Sequence, residues 1–254
     1  IRLMVRRLAI TWIIGCSLLN SAQAGAIVGG KQDNPVSWPG VVMVRANSSD
    51  SAYGYVASCG GSLVAAHWVL TAAHCLDGKP YAFVSHGKAS NTQGDWIRVS
   101  QIYRYPGWNS KMIVGDLALL RLPEEWSGLQ PLLWSSKFRA EDLVRIMGWG
   151  ATSLDKGKPV GAGTFRSAWT TIHTPSSCRK GMRPGYGEHT LCAGDTGRNI
   201  CNGDSGGPLM IKSGNVWKQI GIASFGSANR CGASPGYFTD INYYRSWISS
   251  IIVR

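Results

Sequence analysis

The chain has 254 residues, of which 44% are hydrophobic and 16% charged; that is long enough to bury a large core and too apolar for a disordered segment. Its 26 basic residues against 14 acidic ones give a net charge of +12, which favours anionic surfaces. No basic block is interleaved with aromatics, so the composition does not describe a nucleic-acid reader.

Arg2, Arg6 and Arg7 precede an apolar run from Leu8 to Leu19 and then a stretch of small residues, the three-part pattern of a signal peptide. A spanning helix needs about 20 apolar residues, so this shorter run predicts a leader over residues 1–26 and no transmembrane segment. A second reading exists, because Ile13-Ile14-Gly15-Cys16 resembles a bacterial lipoprotein cut site. Both Ala22-Gln23-Ala24 and Ala24-Gly25-Ala26 fit an export cut. The later cut exposes Ile27, and the earlier one leaves a Gly25-Ala26 dipeptide to be trimmed. Loss of the leader removes three positive charges and leaves 23 against 14, a net +9. The expected location is extracellular, or periplasmic in a bacterium.

Beyond the leader, short apolar stretches recur at Val41–Val44, Gly61–Leu70, Ile97–Ile102, Leu117–Leu122, Leu143–Met147 and Val216–Ser224. With 32 glycines and 11 prolines between them, they read as many short strands of a sandwich or barrel. Residues 123–136, broken by Pro123, Gly128 and Pro131, form a predicted linker between two halves. Only the end is helical: from Ile241, apolar residues fall at Tyr244, Trp247, Ile248, Ile251 and Ile252 along one face. Asn47-Ser48-Ser49 has the form of a glycosylation acceptor in a eukaryote.

Six cysteines follow the leader: Cys59, Cys75, Cys178, Cys192, Cys201 and Cys231. An even number in an exported chain predicts three disulfides, with fifteen pairings open in principle. There is neither a C-x-x-C pair nor H-E-x-x-H, so neither a metal site nor a cofactor is expected.

The most informative segment is Cys201-Asn202-Gly203-Asp204-Ser205-Gly206-Gly207-Pro208. Glycines around Ser205 free the backbone to turn tightly and bring amide hydrogens close to a substrate oxygen. A serine hydroxyl becomes a useful nucleophile only beside a base that is itself held by a third group. Thr71-Ala72-Ala73-His74-Cys75 offers the imidazole, and Asp116, opening an apolar strand, offers the carboxylate. His67, His86, His173 and His189 lie in no comparable motif.

Taken in order, IVGG, TAAHC, DLALLRL, GWG and GDSGGP resemble the chymotrypsin/trypsin family of serine endopeptidases across residues 27–254. The resemblance implies an all-β fold of two six-stranded antiparallel barrels, with the active site between them and a C-terminal helix. It makes Ser205 the nucleophile, His74 the base and then acid, and Asp116 the group that orients the imidazole, a triad whose mechanism is this family's own worked case. The amides of Gly203 and Ser205 become the oxyanion hole. The implied disulfides are Cys59–Cys75, Cys178–Cys192 and Cys201–Cys231, and the freed ammonium of Ile27 is expected to pair with Asp204. Ala26 departs from the Arg or Lys of a trypsin-activated zymogen.

Trypsin-like members carry an aspartate six residues before the serine, where this chain has Asn199. Ile200, Ser224, Phe225, Gly226 and Gly236 complete the implied specificity slot, which is neutral and partly apolar and so suits Phe, Tyr, Leu or Met at the cleaved position. An amide floor also leaves open a polar preference. The implied partners are protein or peptide substrates and proteinaceous inhibitors, met by a monomer. Two competing classes remain. A catalytically dead binding scaffold would lack a triad residue, and an esterase of the α/β type would order Ser, Asp, His, whereas this chain reads His, Asp, Ser.

Overall fold

Runs of β-branched and aromatic residues closed off by glycine and proline favour pleated strands. The computed structural model describes residues 27–54, 57–227 and 230–253. The expected leader, with Cys16 and the Gly25-Ala26 dipeptide, lies outside the described residues.

The first half contains β1 (Lys31–Gln32), β2 (Val41–Asn47), β3 (Ala57–Ala65), β4 (Trp68–Thr71), β5 (Tyr81–His86), β6 (Ile97–Arg98), β7 (Gln101–Arg104) and β8 (Ala118–Arg121). Strands β2 to β8 pair antiparallel in the order β6-β5-β2-β3-β4-β8-β7. β6 and β7 act as one bent strand. The N–H of Val99 donates to Ala82 O at 3.0 Å on one side, and that of Ser100 donates to Arg121 O at 2.8 Å on the other. The sheet thus closes as a six-stranded barrel without an open edge.

The second half contains β9 (Leu133–Trp134), β10 (Leu143–Gly148), β11 (Ser153–Asp155), β12 (Lys158–Val160), β13 (Arg166–Thr171), β14 (Thr190–Ala193), β15 (Pro208–Ser213), β16 (Val216–Phe225) and β17 (Gly236–Asp240). Its path runs β13-β10-β15-β16-β17-β14, and a bridge between Ile172 and Ala193 joins the last strand to the first. Two six-stranded barrels are therefore present, as the resemblance implies. β1 adds to the outside of β13, the β11–β12 hairpin stands apart, and the parallel pairing of β9 with β16 breaks the otherwise antiparallel pattern.

Each barrel has its own apolar core, one around Leu63, Leu70 and Leu119, the other around Ile146, Leu209 and Phe238. Trp38, Met43, Met147, Trp149, Phe165 and Met210 form a third cluster, drawn from both halves, that seals them together. The C-terminal helix α2 (Arg245–Ile252) places Ile248 and Ile251 in the first barrel's cluster, so the chain end returns across the molecule. A four-residue helix α1 (Pro175–Cys178) was not predicted, because one turn has no apolar period. Thr174 caps it, accepting from Ser177 N at 3.2 Å.

All three implied disulfides are formed. No helix among the described residues is long and apolar enough to cross a membrane. Asn47 is buried, and its amide nitrogen donates to Ser51 O at 2.9 Å and Tyr53 O at 3.2 Å, which leaves little of it for a glycan.

Candidate active site

His74 sits on a single 3-10 turn (Ala73–Leu76) directly after β4, and the Cys59–Cys75 disulfide ties that turn to β3. Asp116 ends the loop before β8 and is fully buried. His74 Nδ1–H donates to Asp116 Oδ2 at 2.7 Å, and His74 N–H donates to Asp116 Oδ1 at 2.9 Å. The carboxylate therefore grips both ring and backbone and fixes the tautomer with the proton on Nδ1. Ser224, at the end of β16, adds a third bond, its hydroxyl donating to Asp116 Oδ2 at 2.5 Å. Burial works against a charged imidazole, but the hydrogen bond and charge of Asp116, with the charge of Asp77, outweigh it and hold the His74 pKa above 6.5. The ring keeps 31% of its side-chain surface exposed, so its outer edge stays reachable.

Ser205 lies on a tight loop between β14 and β15. Gly203 has φ +95° and Gly206 φ +80°, a left-handed backbone that side chains rarely adopt. Both are also crowded: a Cβ on Gly206 would stand 2.3 Å from Gly60 O and from Thr71 Oγ1. Gly60 N–H donates to Ser205 O at 2.7 Å and Gly206 N–H to Ala223 O at 2.7 Å, so β3 of one barrel and β16 of the other clasp the loop. Among the described residues, the amide hydrogens of Gly203 and Ser205 make no hydrogen bond, and neither does the Ser205 hydroxyl. Two unused donors within one three-residue stretch are rare in a folded chain, where backbone groups are almost always paired.

Asp204 points the other way, into the second barrel. It is buried and accepts from Gly150 N at 2.8 Å and Cys201 N at 2.9 Å, yet burial pushes its carboxyl up to about 7. No ion pair reaches it among the described residues. Gly148 and Gly150 make its space, since a Cβ on either would lie within 2.6 Å of the carboxylate. Ile27 is fully buried in the same barrel's core, and Val28 exchanges backbone bonds with Asn199 at 2.9 and 3.2 Å.

Asn199 is buried, with both amide atoms engaged: Nδ2 donates to Ser234 O at 2.5 Å and Oδ1 accepts from Ile200 N at 2.8 Å. A Cβ on Gly226 would meet nothing within 4 Å, whereas one on Gly236 would lie 2.6 Å from Asn199 Oδ1 and 2.7 Å from Ile200 Cγ1. Gly226 therefore borders open space, while Gly236 makes room for the floor residues themselves. Phe225 stacks on Tyr237 at 4.5 Å and meets Tyr186 edge-on at 5.6 Å.

Cys59, His74 and Cys75 are the one close group of potential metal ligands among the described residues, but their sulfurs form a disulfide and His74 Nδ1 is held by Asp116. That set offers no thiolate to a metal.

The family model for trypsin matches residues 27–248. The chain belongs to the trypsin family of serine endopeptidases. It is 31% identical to a tryptase of Mus musculus over 99% of both chains. It is also 32% identical to chymotrypsin-like elastase family member 1 of Homo sapiens, over 89% of this chain and 92% of that protein. Within this trypsin-family chain, Ile27 and Asp204 lie buried in the second barrel, and the other catalytic and slot residues singled out by sequence fall into three groups. His74, Asp116 and Ser224 are directly bonded. Ser205 and Gly203 share the adjoining loop, and Asn199, Ile200, Phe225, Gly226 and Gly236 gather beyond it, braced by Cys201–Cys231. The sequence reading placed Ser224 only with substrate and overlooked Ser234, Tyr186 and Tyr237. Nothing in the spacing reveals which strand end faces Asp116. Thr239 Oγ1, which donates to Asp116 O at 2.9 Å, is hidden for the same reason.

Proposed function

We propose that Ser205 Oγ attacks a substrate peptide carbonyl as His74 Nε2 takes its proton, forming a tetrahedral adduct whose oxyanion accepts from the N–H groups of Gly203 and Ser205. His74 then gives that proton to the departing amine, leaving an acyl-enzyme. A water, deprotonated by the same nitrogen, repeats the sequence and frees Ser205. Asp116 takes no proton; it holds the tautomer and stabilises the imidazolium. Each oxyanion donor lowers the barrier by about 3 to 4 kcal/mol. The observation that carries this reading is the 2.7 Å bond from His74 Nδ1 to a buried Asp116, which keeps the proton on Nδ1 and leaves Nε2, 3.9 Å from Cys75 Sγ, as the basic nitrogen.

The favoured substrate carries a large apolar or aromatic side chain at the cleaved position. Asn199 offers no carboxylate to a cation, and its amide nitrogen and oxygen each already hold one bond, to Ser234 O and from Ile200 N, so the floor favours an apolar group over a charged one. Ile27 supplies the switch: once its amino group is freed, the ammonium neutralises Asp204 and holds the Ser205 loop. Cleavage after Ala26 during or after export would release it, and three disulfides suit an oxidising compartment.

Treatment with a fluorophosphonate tests the nucleophile. The expected result is a single adduct on Ser205 of the form that begins at Ile27, abolished by Ser205→Ala and strongly slowed by His74→Ala. Absence of labelling in a form shown by N-terminal sequencing to start at Ile27 would overturn the reading. Comparison of kcat/KM on Phe, Leu, Gln and Arg substrates tests the slot, and preference for Arg or Gln would contradict it.

A further inference from the structure

Antiparallel strands over a core alternate apolar-in with polar-out, and one outer face of the second barrel does not. Val144 and Ile146 of β10 and Ala168 of β13 face the core. Beside them, on the outer side, stand Leu143 and Trp169, 61% and 41% exposed. Both line a groove of about 440 Å³ together with Ile211, Lys137 and Lys212. Ser213 lines it as well, and its strand partner Val216 is 47% exposed. None of these residues belongs to the active site. The face is also stiff: Trp169 packs on Trp217 and Trp217 on Trp38, each at 5.2 Å, with the Arg145 guanidinium 5.0 Å from the Trp38 ring and 5.6 Å from that of Trp169.

The charges on this face have one sign left over. Asp33 is answered by Arg145 at 2.7 Å, and Asp142, which also lines the groove, by Arg139 at 3.5 Å and by the Arg139 N–H. Lys137 and Lys212 are exposed and join no ion pair among the described residues. The indole N–H of Trp169 likewise donates to nothing among the described residues. We propose that this face seats on a bilayer that carries anionic lipid headgroups. Leu143 and Val216 then meet acyl chains, the indole with its unused N–H lies at the boundary, and the two lysines reach lipid phosphates. A soluble polyanion would use the lysines and leave the apolar side chains bare. A second copy of the chain is disfavoured, because a two-fold contact sets a patch against itself and would oppose lysine to lysine. The seat is small, so attachment is reversible and needs both apolar contact and charge.

Vesicle co-sedimentation of Ser205→Ala protein beginning at Ile27 tests this, since the apolar run from Leu8 to Leu19 would itself bind lipid. Vesicles of phosphatidylcholine and phosphatidylglycerol, mixed two to one, are compared with phosphatidylcholine alone. We expect binding to the mixed vesicles and about tenfold or more weaker binding to phosphatidylcholine, the scale of two lysines at an anionic surface. Brominated acyl chains should quench tryptophan fluorescence, and Trp169→Phe should remove most of that quenching. Leu143→Gln should weaken binding about five- to tenfold and Lys212→Gln about fivefold, with melting temperatures unchanged. Lys158→Gln, on the separate β11–β12 hairpin, should leave binding nearly unchanged. No binding to the mixed vesicles would overturn the proposal and leave a protein as the occupant. Equal weakening by Lys158→Gln and Lys212→Gln, or binding that Leu143→Gln does not alter, would overturn it in favour of plain adhesion to any polyanion.

Discussion

Ser224 Oγ and His74 Nδ1 donate to the same oxygen of Asp116, at 2.5 and 2.7 Å. The serine hydroxyl draws charge from that oxygen and competes with the imidazole for it. Ser224→Ala should leave the carboxylate more basic toward His74, raising the His74 pKa further above its ordinary value. The acid limb of the kcat/KM profile, already expected above pH 6.5 because the base must be neutral, should move to higher pH. A hydrogen bond to a charged group is worth about 1.5 to 3 kcal/mol, so kcat/KM should fall about tenfold or more. An unmoved acid limb would show that Ser224 only fills space.

If Ile27 pairs with Asp204 as proposed, the chain with and without the residues before Ile27 should respond oppositely to pH. The Asp204 carboxyl, raised by burial to about 7 from 3.8, contributes stability that is full below about pH 4 and lost as pH rises through 7. That difference corresponds to roughly 4 kcal/mol. In the form beginning at Ile27 the proposed ammonium should remove this loss; its own pKa should then be raised, so stability and activity should persist through neutrality and fall in the alkaline range. Thermal unfolding from pH 4 to 10, on Ser205→Ala protein with and without the residues before Ile27, compares them. Superimposable profiles would rule out the pairing.

Asn199→Asp should convert the slot. Ile200 N still feeds one oxygen, but the other would face the Ser234 carbonyl, which repels it toward open space. A carboxylate there meets a substrate guanidinium, and the ratio of kcat/KM for Arg over Phe should rise about 100-fold, the scale of a desolvated charge pair. A ratio that does not move would place Asn199 outside the substrate's reach.

The contrast between local and distant information explains what could be read from the sequence. The Ser205 loop, the His74 turn and the strand after Asp116 each announce themselves within a few residues, because tight turns and buried strands restrict composition locally. The strand periodicity alone leaves sandwich and barrel undecided, since closure depends on the bend at Val99-Ser100 and the bridge from Ile172 to Ala193. Ser224 touching Asp116 across 108 positions, or Asn199 reaching Ser234 across 35, is a matter of where β16 and the β16–β17 loop come to rest. No local pattern encodes that. Gly236 is instructive for the same reason: the sequence groups it with the slot, and only the structure shows that its missing side chain makes room for Asn199 and Ile200.

The two slot glycines therefore should fail differently when given a methyl. At Gly226 the new Cβ meets nothing within 4 Å, so Gly226→Ala should leave the melting temperature unchanged. If that open space takes the substrate side chain, kcat/KM for a Phe substrate should fall about tenfold while an Ala substrate is nearly unaffected, because one misplaced methyl costs about 1 to 3 kcal/mol of fit. Gly236→Ala must instead displace Asn199 and Ile200, so it should lower stability by about 1 to 3 kcal/mol and impair both substrates. Calorimetry and paired kinetics on the two variants decide the matter. A Gly226→Ala enzyme that cleaves Phe and Ala substrates at the native ratio would mean that the slot lies elsewhere.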